Sequence, residues 1–223
     1  MVTHRTLLAA AVLGCLAACS AGSKTGDQLK SIAPTAVSSP SGAQAPADSG
    51  VGASAEVALP PGALVELVPT AAELPAGFAP VEGEAGPLDI AAFAELAPDP
   101  QSATAALERE RFRDGYTAQF ASESGGDFVS VLVTRFRDND GARANFAREK
   151  RESAVDTEPV TIPTVGEESF AFKEKLAEGD IAEIASILFR VGDLVWLVET
   201  SGQSAVDISL PQSVAAMLAK RIS

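Results

Sequence analysis

The sequence predicts an α+β fold: a single domain with a largely antiparallel sheet and helices packed on one face, following a disordered N-terminal tether. All ten phenylalanines, the single Tyr116 and the single Trp196 lie between Phe78 and the C-terminus. Within that region the apolar period alternates between two, as in strands, and about 3.6, as in helices. Turn-forming clusters separate the segments, among them Ser124-Gly125-Gly126-Asp127, Asp138-Asn139-Asp140-Gly141, Glu178-Gly179-Asp180 and Gly192-Asp193. The order helices, hairpin, helix, three strands, helix is that of an α+β domain.

The N-terminus reads differently. Arg5 precedes the apolar run Leu7 to Ala18, which has the length of a signal-peptide core and is too short to span a bilayer as a helix. Leu16-Ala17-Ala18-Cys19 has the form of a lipobox, so Cys19 is expected to become the acylated first residue of the mature protein. Cys15, after Val12-Leu13-Gly14, is a weaker competitor. From Cys19 to about Leu59 there is no aromatic residue, and stretches such as Ser38-Ser39-Pro40-Ser41-Gly42 bury too little apolar area to offset the entropy of ordering. A flexible coil of this length spans on the order of 35 Å. The expected organisation is a signal peptide over 1–18, a lipidated linker over 19–58 and a globular domain over 59–223.

Within the domain, Leu64-Val65-Glu66-Leu67-Val68 is expected to form a short strand, and Thr70-Ala71-Ala72-Glu73 matches a capping box whose helix Pro75 stops after one turn. Leu88 to Leu96 reads as a short helix. Asp99-Pro100 starts a second, as N-cap and first helical residue, running to about Arg113. Strands follow from Tyr116 and over Phe128 to Phe136. In the latter, Phe128, Leu132 and Phe136 share one face while Val129, Val131 and Val133 share the other, which predicts a central position. A helix from about Ala142 to Ser153 turns Ala142, Phe146 and Ala147 inward and Arg143, Arg148, Lys150 and Arg151 outward. Val160-Thr161-Ile162, Glu168 to Lys175, Ile181 to Val191 and Leu194 to Thr200 complete the strands, with Gly192 suited to a type II′ turn. A closing helix begins near Pro211, with Leu210, Val214, Met217, Leu218 and Ile222 along one stripe.

Chemistry is constrained by what the leader contains. Cys15, Cys19 and His4, the only histidine, all precede the domain, so the mature domain is left without imidazole or an internal disulfide. That excludes Ser-His-Asp and Cys-His catalysis and His-based zinc sites there. Three acidic pairs, Glu82 with Glu84, Glu108 with Glu110 and Glu167 with Glu168, are the candidates for carboxylate chemistry, and their polar settings read as solvated faces. Asp138-Asn139-Asp140-Gly141 resembles the start of a calcium loop but lacks the later bidentate acid, with Phe146 and Ala147 at that distance; it reads as a helix N-cap. Arg109, Arg111 and Arg113 could hold an anion, but acids lie between them. No cofactor is called for.

Loss of residues 1–18 removes Arg5 and no acid, leaving 16 basic against 30 acidic side chains and a net charge of −14. Such a surface disfavours nucleic acid and anionic headgroups, so membrane attachment rests on the acyl chains.

The segment order from Leu74-Pro75-Ala76-Gly77-Phe78 to Ile222, with its Phe-rich strand, Asp-capped helix and late hairpin, resembles actinobacterial cell-envelope lipoproteins, some of them similar to the PsbP-like fold. The resemblance implies a binding or accessory role and brings no site residue with it. The expectation is a non-catalytic, membrane-anchored binding or assembly module on the extracytoplasmic face, partnered by an envelope protein or cell-wall component. The alternative is a carrier or sensor of a small apolar ligand, with phenylalanines and Trp196 lining a pocket between sheet and helices.

Overall fold

The computed structural model describes residues 63–176 and 181–222. The expected signal peptide, Cys19, the expected linker, the first residues of the expected domain and the expected turn at Glu178-Gly179-Asp180 lie outside the described residues. Two short 3-10 turns, Ala63–Leu67 and Ala71–Glu73, open the chain. Then come β1 (Phe78–Pro80), β2 (Gly86–Leu88), α1 (Ile90–Ala94), α2 (Pro100–Arg109), β3 (Phe112–Ser122), β4 (Phe128–Phe136) and α3 (Asn139–Ser153). β5 (Glu158–Val160), β6 (Glu168–Lys175), β7 (Glu183–Val191), β8 (Leu194–Gly202) and α4 (Ser209–Ala219) complete it.

The strands form one antiparallel sheet in the order β1-β3-β4-β8-β7-β6-β5, with β2 also on β3. The expected α+β domain on an antiparallel sheet is thus what forms, and β4 is central, between β3 and β8. Alternation sends its valines to one core and Leu132 and Phe136 to another. The helix placement is corrected in one respect. α1, α2 and α3 share one face, where Leu107, Ala142 and Phe146 meet Phe136, Leu188 and Leu197. α4 lies on the opposite face, where Val214, Ala215 and Leu218 meet Ile187, Trp196 and Val198. Strands apolar on both sides need a cover on both sides, and a single layer of helices cannot supply it.

The sheet's edges are blunted. β1, β2 and β5 are three residues long and each carries a proline, Pro80, Pro87 and Pro159, which cannot donate to a further strand.

Several boundaries differ from the sequence reading. Ala63–Leu67 is a 3-10 turn instead of a strand, because Leu64, Leu67 and Val68 are all buried, a helical spacing. Leu88 belongs to β2, and α1 starts after Asp89, whose carboxylate caps it by accepting from Ala92 N at 2.8 Å. α2 begins as expected with Asp99 accepting from Ser102 N at 3.2 Å, but stops at Arg109. There Arg111 takes the left-handed φ of 63° and the chain turns into β3. Asp138 caps α3 by accepting from Gly141 N at 2.9 Å. Ala147 is exposed, contrary to its expected inward position. Gly192 has φ +58° and Arg111 is the one non-glycine with positive φ among the described residues, so the β7–β8 turn has the φ signs of type II′.

Candidate functional site

Arginines from distant parts of the chain hold three of the six paired acids singled out above, Glu110, Glu167 and Glu168. Glu108 is exposed, but Glu110 is buried, which corrects its reading as part of a solvated face. Its carboxylate accepts from Arg148 Nε at 2.6 Å, Arg148 Nη2 at 3.1 Å and Asn145 Nδ2 at 2.9 Å. Burial alone would lower the Arg148 pKa, but Glu110, Glu149 and Glu152 outweigh it and raise it. Arg148 was expected to point outward; only a fifth of its side chain is exposed.

Glu167 and Glu168 both flank Arg190, which is 2% exposed, at 2.6 Å and 2.9 Å. Arg190 also donates to Asn139 Oδ1 and to Gly192 O. The backbone N–H of Gly192, with Arg190 behind it, holds the Glu167 carboxyl below its usual range. A second buried arginine, Arg135, makes a two-pronged contact with Asp114.

In the loop that resembles a calcium site, Asp138 serves as cap and pairs with Arg111, while Asp140 is exposed. Among the described residues no three of His, Cys, Asp and Glu are placed to hold a metal ion. Of the arginines between acids, Arg109, Arg111 and Arg113 are all exposed. Glu82 and Glu84 lie on the loop after β1, outside every ion pair described.

Several of the aromatic side chains expected to line an apolar pocket pack on one another. Trp196 is fully buried, stacks on Phe189 with ring centroids 4.8 Å apart, and donates its indole N–H to Leu67 O at 3.1 Å. On the other face Phe93, Phe112 and Phe136 form a chain of ring contacts at 5.5 and 6.1 Å.

One group of ionisable residues stands apart, beneath the C-terminal half of α3. The register sets Ser130, Glu199 and Ser186 side by side on β4, β8 and β7. By alternation they share the face of Leu132, Leu197 and Leu188, one row further along the sheet. Ser186 is fully buried and its hydroxyl donates to Glu199 Oε1 at 3.1 Å. Above them, the inward stripe of α3 passes from Ala142 and Phe146, both buried, to Glu149, whose side chain is 24% exposed. Burial pushes the Glu199 carboxyl up to about 7, Ser186 draws it down, and the charges of Glu174 and Glu149 push it further up. Burial also raises Glu149, against the pull of Arg148. Glu199 therefore exchanges a proton near neutrality. It can donate a hydrogen bond when protonated, and carries a partly buried negative charge when ionised.

Sequence reasoning singled out neither Glu199 nor Glu149. The signal present was an acid inside an otherwise apolar strand, Leu194-Val195-Trp196-Leu197-Val198-Glu199, opposite a serine inside Ile184-Ala185-Ser186-Ile187. Their convergence under α3 depends on the sheet register.

No family model matches the chain, and no curated protein matches it in sequence. Among solved structures it is similar to the extracellular domain of PknH from Mycobacterium tuberculosis, with 13% identity and a TM-score of 0.48, over 71% of this chain and 95% of that one. Among the described residues no helix is long and apolar enough to cross a membrane.

Proposed function

We propose that this protein is a lipoprotein anchored through acyl chains on Cys19 to the extracytoplasmic face of the cell membrane, where its domain acts as a non-catalytic binding or assembly module of the envelope. The observation that carries this reading is that both faces of the sheet are filled by side-chain packing, with Trp196 on Phe189 at the centre of one. That packing favours recognition on the outer surface of the domain. That surface is polar: the large apolar residues described as exposed are Val65 and Val155. The proline-bearing edge strands oppose recognition by strand addition. An acidic surface selects a partner by charge, favouring a basic face on another envelope protein or a cationic cell-wall component.

Two experiments test the parts separately. Cys19→Ala should move the protein from the membrane fraction to the soluble fraction and abolish the added acyl mass; retention in the membrane would refute the anchor. Affinity capture of the tagged full chain from its own envelope extract should recover a saturable partner whose binding weakens with salt. Recovery of none at micromolar concentration would refute the binding module.

A further inference from the structure

The apolar anchoring of α3 is uneven along its length. Its buried residues, Gly141, Ala142, Asn145 and Phe146, all lie in the first half. Beyond Phe146 the inward position falls to Glu149, and the row of sheet beneath runs through Ser130, Glu199 and Ser186 to Phe172 on β6, polar where the neighbouring row has leucines. The first half of the helix therefore rests on hydrocarbon, while the second half meets a polar row centred on Glu199, with phenylalanine at its β6 end.

Charges reach this point from several elements. α3 contributes Glu149, together with Arg148 and Glu152, which form ion pairs on the helix itself. β6 contributes Glu174, and β8 contributes Glu199. β4 and β7 face it with the neutral Ser130 and Ser186. Lys150, the next residue on α3, sits over the Phe170 ring at 5.6 Å. Lys173 on β6 is engaged by Glu183 and by Val206 O. Arg148, beside Glu149 on the helix, is shared among Glu110, Glu149 and Glu152.

We propose that Glu199 is a pH-sensitive latch: neutral, it lets the C-terminal half of α3 lie closed on the sheet, and ionised, it joins Glu174 on the sheet in repelling Glu149 and drives that half away. The apolar first half and the Arg148–Glu110 pair act as the fixed end, so the motion falls within residues 147–153, chiefly beyond Arg148, and the connection that follows. That Glu199 titrates near 7 places the change within the range an exposed protein meets. The latch stands independently of what the domain binds.

Hydrogen exchange on the purified full-length protein from pH 5 to 8.5, corrected for intrinsic exchange rates, tests it. Amides of residues 147–153 should lose about tenfold in protection with a midpoint near pH 7, while those of residues 141–146 hold. Glu199→Gln should keep the second half closed at every pH, and Glu149→Gln should shift the midpoint downward. A flat profile for residues 147–153 in the wild type would overturn the proposal, as would an unchanged pH response in Glu199→Gln. Carboxyl NMR on the wild type serves if a variant fails to fold: a Glu199 midpoint near 7 supports the latch, and one below 5.5 overturns it.

Discussion

The indole N–H of Trp196, in the middle of β8, donates to the carbonyl of Leu67 at 3.1 Å, tying the centre of the sheet to the first turn of the described chain. Arg221, just past α4, clasps the same turn by donating to Glu66 O and Val68 O at 2.6 and 2.8 Å and by pairing with Glu73. The segment through which any tether enters the domain is therefore held by both the core and the C-terminus. Trp196→Phe keeps an aromatic ring against Phe189 but leaves the Leu67 carbonyl without its donor. The expected loss is about 1–3 kcal/mol, read as a lower urea midpoint with an unchanged slope. Unchanged stability would show that the bond contributes nothing.

Gly141 sits where the first turn of α3 crosses the end of α2. A Cβ there would lie 2.1 Å from the carbonyl oxygen of Glu110, a backbone atom that cannot swing away. Gly141→Ala should therefore destabilise the domain by about 1–3 kcal/mol, even though alanine is the better helix former. A variant as stable as the wild type, measured by thermal unfolding, would contradict the close approach.

Arg111 holds a left-handed φ of 63° that costs an L-residue about 1–2 kcal/mol, and its pairing with Asp138 is solvent-exposed. Arg111→Gly should consequently raise stability by about 0.5–1 kcal/mol. A fall in melting temperature would mean that the ion pair outweighs the backbone strain.

Glu110 and Arg148 form a buried charge pair from two elements. Removing the arginine alone leaves the carboxylate with Asn145 as its remaining partner. Arg148→Met should cost about 3 kcal/mol, and adding Glu110→Gln should recover part of that loss. Strictly additive effects in the double-mutant cycle would argue against direct coupling.

The pH dependence has a definite sign. Folding raises the Glu199 carboxyl from 4.5 to about 7, so between those values the folded state keeps a proton that the unfolded chain releases. Its contribution is full below about 4.5, declines as pH rises to 7 and stays lost above, by at most about 3 kcal/mol. Glu73 acts in the opposite sense. The Thr70 N–H, then Arg221, depress it to about 2, so its contribution is present above 4.5 and is lost as pH falls through about 2. Denaturant titrations should show stability falling from pH 5 to pH 8 in the wild type and falling clearly less over that range in Glu199→Gln, where the raised Glu149 remains. Parallel curves for the two proteins would place the titrating group elsewhere.

Local rules were legible in the chain. Asp99 before Pro100, and Asp138 before the Ala142–Phe146 stripe, mark helix starts because a carboxylate satisfies free backbone N–H groups within one turn. The two-sided apolar pattern of Phe128 to Phe136 marks a central strand because alternation alone decides which side each residue faces. Turn chemistry at Gly125-Gly126 and Gly192 set the hairpins by the same short-range logic.

The sites of charge were decided elsewhere. Glu110 sits in an alternating run of acids and arginines that by itself reads as solvated, and it is buried because Arg148 and Asn145, on another helix, close over it. Glu199 lies in an apolar strand, and its proton affinity depends on Ser186 across the ladder, Glu174 two strands away and Glu149 on the helix above. The longer helices and strands and the turns between them followed from neighbours a few positions apart, whereas the 3-10 turn at Ala63–Leu67 and the short edge strands β1 and β2 did not. Only the tertiary structure decided which face α4 covers and which carboxylates keep their protons, because desolvation and Coulomb interactions depend on distance through space.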